Sequence, residues 1–328
     1  MALPASGAIS LSDFNTELGN SAGTQISLNS SDVRALLGTA DGATASFSGY
    51  YGASSSVDIA LTIAANTNNY NIFSNKGGTY VAGKSNVTLT INSGVAVGST
   101  STGTYALDTG TGWATGDIIT IVNNGTVKGR GGDGGDGHDY SQYPFGTGIE
   151  SPPQGNSGGT AGGSGGNAFR AQFATAFTNN GSVYGGGGGG GGGGGEGPTL
   201  GYKGSTGLSG GGGGGGGAGV NGGSGGSGGT AIFYNTSSGN INYGTASSGS
   251  SGTSSSGGAG GAAVTSQAFT GGAGGAGGGL GSAGSAGNGS DLYGYSGTSA
   301  GARGNYQVGA SFINSGSGIG GTVGGGSS

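Results

Sequence analysis

The chain has 328 residues, of which 94 are Gly, with 8 basic and 13 acidic side chains, one His, one Met, one Trp, five Pro and no Cys. These counts exclude a disulfide framework, a thiolate zinc site and a multi-histidine metal site, and five prolines are too few for a collagen repeat. Eight basic residues against a net charge of −5 are too little positive charge to neutralise a nucleic-acid backbone, so no nucleic-acid partner is expected.

The opening, Met1 to Gly7, has neither a basic region nor an apolar run. It predicts synthesis in a cytosol rather than export through a signal peptide, and no apolar stretch approaches the ~20 residues of a membrane span. Residues 1–53 then hold two related units, Ile9-Ser10-Leu11-Ser12-Asp13-Phe14 and Ile26-Ser27-Leu28-Asn29-Ser30-Ser31-Asp32-Val33. Each reads as an extended entry, a Ser cap following the Ile-Ser-Leu, an acidic first turn and a helix of about two turns closed by Gly19 or Gly38. Helices that short need a surface to pack on. Phe14, Leu18, Leu36 and Leu37, with Tyr50 and Tyr51 of the closing aromatic cluster, are therefore the candidate anchoring residues of a docking module.

Residues 54–130 change to alternating β-branched runs, Val57–Ile63, Val87–Ile91 and Asp117–Val122, punctuated by Asn92-Ser93-Gly94 and Asn123-Asn124-Gly125. They predict a small all-β domain with Leu107 and Trp113 in its core.

Residues 131–328 are glycine-rich. Homoglycine runs at Gly185–Gly195 and Gly210–Gly217 sit among period-three stretches such as Gly222-Gly223-Ser224-Gly225-Gly226-Ser227. Three residues per turn is neither a helix nor a strand but the polyproline II geometry, in which eleven residues reach ~34 Å. Without Cβ atoms, such rods can approach until each N–H meets a neighbouring carbonyl. Ordering a residue costs roughly 1–2 kcal/mol and a net hydrogen bond returns about 0.5–1.5, so the rods need fixed ends. The recurring pieces Ile121–Gly129 and Phe177–Gly185, with looser copies at Ile232–Gly244 and Phe312–Gly320, predict β-hairpins gathered at a near end. The connections at the far end are then 138–145, 198–203, the Ser-rich 246–256 and 291–295. The fold class expected is mostly β and irregular: an α-containing module, a β domain and a bundle of glycine helices with hairpin end pieces.

Three of those far-end segments carry aromatics in irregular sequence, as recognition surfaces on rigid scaffolds do. The candidate receptor-binding residues are His138, Tyr140, Tyr143, Phe145, Leu200, Tyr202, Lys203, Leu292, Tyr293 and Tyr295. Competing motifs are weaker. Gly78–Ser85 fits a phosphate-loop pattern, but a strand and not a helix follows it. Gly131–Asp136 matches a single calcium-binding nonapeptide, a chemistry that needs stacked copies. Asp133, Asp136 and Asp139 beside His138 lack a nucleophile or oxyanion site and read as solvated. No catalytic residue, metal site or cofactor is expected.

Residues 3–52, with Leu3-Pro4-Ala5-Ser6-Gly7, Glu17-Leu18-Gly19, Ile26-Ser27-Leu28 and Tyr50-Tyr51-Gly52, are similar to an N-terminal segment of phage virion proteins. Asn179-Asn180-Gly181-Ser182-Val183-Tyr184-Gly185 followed by polyglycine resembles the distal long-tail-fibre adhesins of T-even phages. That resemblance implies a polyglycine II bundle whose far-end loops bind an outer-membrane protein or surface glycan, here the loops at 138–150, 198–208 and 290–306. It also implies a place on the virion at the tail or tail-fibre tip, and other tail or baseplate proteins as partners of the N-terminal module. Analogy with tail fibres suggests a homotrimer. The rival readings are a non-adhesive structural or decoration protein of the virion and, more remotely, an ice-binding protein.

Overall fold

The computed structural model describes residues 3–21, 23–37, 45–139, 158–200, 205–235, 240–266, 269–290, 296–309, 311 and 322–324. The chain divides into two compact units. Unit 1 comprises Met1–Leu61, Lys76–Thr88 and Gly112–Ile119; unit 2 comprises Thr62–Asn75, Leu89–Thr111 and Thr120–Ser328.

In unit 1, helix α1 (Leu11–Leu18) is capped by Ser10, earlier in the chain than the expected Ser12. Ser10 stands three residues before Asp13, so each side chain bonds the other's backbone N–H in a capping box. Asp13 is held below its ordinary pKa by those bonds to Ser10. Gly19 ends the helix in the left-handed conformation (φ 70°). Helix α2 (Ser31–Ala35) follows. Leu3, Phe14, Val33 and Tyr50 form the buried cluster, with Leu18, Leu36 and Leu37 packed around it. Phe14 and Tyr50 meet edge to face at 4.9 Å. Of the six expected anchoring residues, then, Phe14 and Tyr50 close the module's own core, and Tyr51 is exposed. Trp113 is half-buried rather than central, edge-on to Tyr80 at 5.7 Å. Burial, together with the Asp117 carboxylate that accepts its proton, pushes the Tyr80 hydroxyl up to about 12.

The β region winds as a solenoid. One turn of chain gives β1 (Val57–Ile63), β2 (Thr67–Asn68) and β3 (Tyr70–Asn71); the next gives β4 (Ser85–Ile91), β5 (Ala96–Gly98) and β6 (Leu107–Asp108). The third gives β7 (Ile118–Asn123), β8 (Thr126–Lys128) and β9 (Phe169–Arg170), and the fourth gives β10 (Thr175–Asn179), β11 (Ser182–Tyr184) and, far along the chain, β18 (Gln307–Val308). Each turn places one strand in each of three sheets, ordered β1-β4-β7-β10, β2-β5-β8-β11 and β3-β6-β9-β18; β19 (Thr322–Gly324) adds a further strand beside β11. Pairing in the second and third sheets is parallel. The alternation seen in the sequence points Leu89, Ile91, Val97, Leu107, Ile121, Val127, Phe169, Phe177 and Val183 into the solenoid interior, all fully buried.

This winding corrects one expectation. Ile121–Gly129 and Phe177–Gly185 are not hairpins, because β7 and β8, like β10 and β11, lie in different sheets. Each Asn-Asn-Gly is a corner, and the two corners stack. The buried Asn123 amide donates to Asn179 at 2.7 Å and Asn180 to Asn124 at 2.9 Å. The 56-residue repeat is a stacking interval.

The glycine-rich chain enters at one corner of the solenoid, between the second and third strands of a turn. That corner holds the single residue Asn69 in the first turn, residues 99–106 in the second, 129–168 in the third and 185–306 in the fourth. Among the described residues the two long insertions run as ten glycine-rich arms joined by backbone hydrogen bonds between arms. In the homoglycine arm, Gly186, Gly189 and Gly192 donate to Gly166, Gly163 and Thr160; Gly187, Gly190 and Gly193 donate to Ala218, Gly215 and Gly212; Gly188, Gly191 and Gly194 donate to Ser282, Ser285 and Asn288. Its carbonyls accept from three further arms, at 132–138, 272–278 and 298–304. The arm at 211–218 likewise has six neighbours.

These are the two homoglycine runs, and the reason is steric. With a neighbour on all six sides every position faces another backbone: a Cβ on Gly189, Gly190 or Gly191 would overlap the carbonyl oxygen of Asp133, Gly275 or Thr298 respectively. Outer arms have an open side, and there every third residue carries a side chain, as at exposed Ser224, Ser227 and Ala276.

Candidate functional site

Hydrogen-bond partners fix the end at which each connection lies. Gly129 N–H donates to Tyr184 beside the solenoid, and His138 N–H donates to Gly193 at the opposite end. The turns around 219–222, 253–256 and 279–282 lie on the near side. Asn221 donates to the Ser99 carbonyl at 2.8 Å, Lys128 Nζ to the Ser254 carbonyl at 3.1 Å, and Gly281 N–H to the Gly185 carbonyl. The described arm ends on either side of five connections, at 138 and 159, 195 and 210, 229 and 246, 262 and 271, and 289 and 297, therefore lie at the far tip.

Two expectations change. The Ser-rich stretch 246–256 is not a tip loop: Ser247 and Ser250 accept from Gly213 and Gly216 along an arm, and Thr253–Ser256 is a near-side turn closed by the Thr253 hydroxyl. Conversely, Ile232–Gly244 is a hairpin as expected, but it stands at the tip, since Thr230 N–H reaches the Asp139 carboxylate at 2.9 Å. It pairs into an antiparallel sheet of β12 (Glu196–Leu200), β13 (Ser205–Ser209), β14 (Thr230–Asn235) and β15 (Asn240–Thr245). Its register sets Leu208 against Ile232 and Ile232 against Tyr243, and Thr206 against Tyr234 and Tyr234 against Ile241. A smaller pair, β16 (Thr265–Ser266) and β17 (Phe269–Thr270), closes the next connection. Counting arms outward and back would have put Tyr234 and Tyr243 at the tip.

Of the ten expected receptor-binding residues, His138 and Leu200 fall among the described ones. Tyr140, Tyr143, Phe145, Tyr202, Lys203, Leu292, Tyr293 and Tyr295 lie outside the described residues. Leu200 pairs in register with Thr206. His138 is buried at 3 % exposure in the last rung of its arm, where its carbonyl accepts from Gly211 N–H. Burial pushes its imidazole below the ordinary pKa, against the opposing pull of Asp139, so it is neutral at pH 7.

The three aspartates beside it have a task of their own. Asp133, Asp136 and Asp139 accept from the backbone N–H of Ser224, Ser227 and Thr230 at 2.8, 2.7 and 2.9 Å. These donors face outward from an outer arm. A carboxylate every third residue supplies an acceptor at each turn. Asp133 also accepts from the two terminal guanidinium nitrogens of Arg130; burial alone would raise its pKa, but Arg130 and the Ser224 N–H hold it below the ordinary value. The triplet is a ladder between arms, and Asp133 and Asp136 remain exposed to solvent as the sequence suggests. Among the described residues no group of His, Cys, Asp or Glu could hold a metal ion. The phosphate-loop match is equally structural: Ser85 opens β4, and its hydroxyl donates to the Val81 carbonyl at 2.9 Å.

The described residues thus form a parallel solenoid with glycine-rich arms inserted at one of its corners. Residues 58–327 match the family described as phage tail fibre adhesin Gp38, and the chain belongs to that family. It is a tail fibre adhesin. Among solved structures, a chain in the crystal structure of the gp37–gp38 adhesin tip complex of the bacteriophage S16 long tail fiber is similar at 20 % identity and a TM-score of 0.46, over 97 % of each chain. No curated protein matches.

Proposed function

We propose that this chain is the receptor-binding protein of a phage tail fibre, holding its tip connections against a bacterial outer-membrane protein or surface glycan during host attachment. The supporting observation is that the described arm ends leading into five connections lie at the end of the bundle remote from the solenoid, in a chain of the adhesin family. In this reading the arms are polyglycine II rods, and the inter-arm hydrogen bonds recurring at every third residue support it. Rigid arms keep the recognition surface ordered before contact, so little entropy is lost on binding. Tyr140, Tyr143, Phe145, Tyr202, Lys203, Leu292, Tyr293 and Tyr295 supply contact area from the loops, Leu200, Tyr234 and Tyr243 from the tip sheet, and neutral His138 supports them from beneath.

The N-terminal module attaches the chain to another tail fibre or baseplate protein, a counterpart to gp37 in the gp37–gp38 tip of S16. Exposed Leu11, Phe47 and Tyr51 are the apolar contacts of that attachment, and buried Phe14 and Tyr50 hold them in place. A homotrimeric assembly and synthesis in the host cytoplasm belong to the same reading, which involves no catalysis and no cofactor. Changing Tyr140, Tyr143 and Phe145 together to Ala is expected to abolish adsorption to host cells while leaving the circular dichroism and melting of the purified chain unchanged. Undiminished adsorption would overturn the assignment of that loop.

A further inference from the structure

Unit 1 contains a cavity of about 600 Å³ that neither the solenoid nor the expected anchoring residues account for. Its floor is the solvent face of three strand beginnings, Asp58, Asn86 and Ile118. Its wall is the C-terminal end of α1 with Glu17, and the polar segment Ser54–Ser56. Charge and shape there favour one kind of guest. Glu17 is buried and ionised: burial raises its pKa, but the Ser55 N–H and the Ser54 and Ser55 hydroxyls outweigh that and hold it below the ordinary value. The carbonyl end of α1 adds partial negative charge. Asp58 is exposed and uses one carboxylate oxygen on the Asn86 amide at 2.9 Å. Ile118, 56 % exposed, offers an apolar surface on the same floor. Among the described residues of the lining, Lys84 is the cation.

We infer that this cavity seats an extended segment of a partner virion protein through a lysine or arginine side chain. The aliphatic stem lies over Ile118 and the cationic head bonds Asp58, as long basic side chains do when an apolar surface ends at a carboxylate. Lys84 takes a backbone carbonyl of the same segment. The inference rests on the attachment reading above and adds to it a charged socket apart from the apolar contacts Leu11, Phe47 and Tyr51.

The test uses virions assembled without this chain, to which the purified full-length chain is added back and its retention measured. Asp58→Lys and Ile118→Asp are each expected to lower retention about tenfold or more, and raising salt is expected to weaken the wild type more than Asp58→Lys. The isosteric Asp58→Asn keeps the Asn86 partner and guards against misfolding; it is expected to show the same loss in smaller measure. Wild-type retention of all three variants overturns the socket. If they are retained while a Leu11, Phe47 and Tyr51 triple Asp variant is lost, attachment through the module stands and the socket alone falls. If the wild type itself is not retained, the attachment reading falls and the socket with it.

Discussion

The solenoid and the glycine bundle are built from opposite materials. The solenoid buries Phe, Leu, Ile and Val in its interior, and its stability follows the usual apolar burial. The bundle buries glycine, and its interior is a lattice of backbone hydrogen bonds with no apolar core among the described residues. In the first, a side chain is the unit of stability. In the second, the absence of one is. The bundle can therefore be built with little sequence information, but only where the solenoid corner fixes the ends of its arms.

The sharpest way to break this contrast is Gly190→Val. Its Cβ would overlap the Gly275 carbonyl, and the arm carrying Gly275 must move away. Loss of the ordered bundle is expected, seen as rapid amide exchange across residues 185–304 with the solenoid amides still protected. Ala276→Val, on an exposed outer position, should change stability by no more than about 0.5 kcal/mol. The reverse sensitivity holds in the solenoid. Phe177 packs on Phe169 at 4.9 Å and is fully buried, so Phe177→Ala should cost about 3–5 kcal/mol in denaturant unfolding.

Two smaller effects concern the polar ladders. Asn123→Ala leaves the buried Asn179 amide oxygen without its donor and should cost about 1–3 kcal/mol. Asp136→Ala removes the acceptor of Ser227 N–H, which water can replace on the exposed side; about 1 kcal/mol or less is expected, and a double mutant with Asn123→Ala should be additive. The weakest probe is pH. His138 has a folded-state pKa below its ordinary 6.5, so as pH falls through that value the unfolded chain binds a proton that the folded chain refuses. Stability of the tip should fall below about pH 6.5 and recover above it. His138→Gln should flatten that slope in melts taken between pH 5 and 8.

Much of this was legible in residues alone. The three long strands, the Gly19 helix stop, the strand after Lys84 and the period of three were all visible, because each depends on local pattern. The solenoid was not. Its signal is the recurrence of Asn92-Ser93-Gly94-Val95, Asn123-Asn124-Gly125-Thr126 and Asn179-Asn180-Gly181-Ser182, which as isolated turns suggest hairpins and only as a series suggest coils. The tip was less legible: as a copy of the Asn-Asn-Gly pieces, Ile232–Gly244 reads as an end piece beside the solenoid, whereas the structure places it at the opposite end.

The sequence by itself determined which glycine-rich arms lie innermost, because a run with no side chain at any position suits a place with neighbours on every side. It also determined which faces of the strands are buried. Only the tertiary structure decided which arm lies beside which and at which end each connection emerges. Glycine-rich arms are interchangeable to their neighbours, since every backbone offers the same donors and acceptors. Their arrangement is set by contacts distant in sequence, such as Asp133 with Ser224, Asn221 with Ser99 and Asn123 with Asn179, which no local pattern announces.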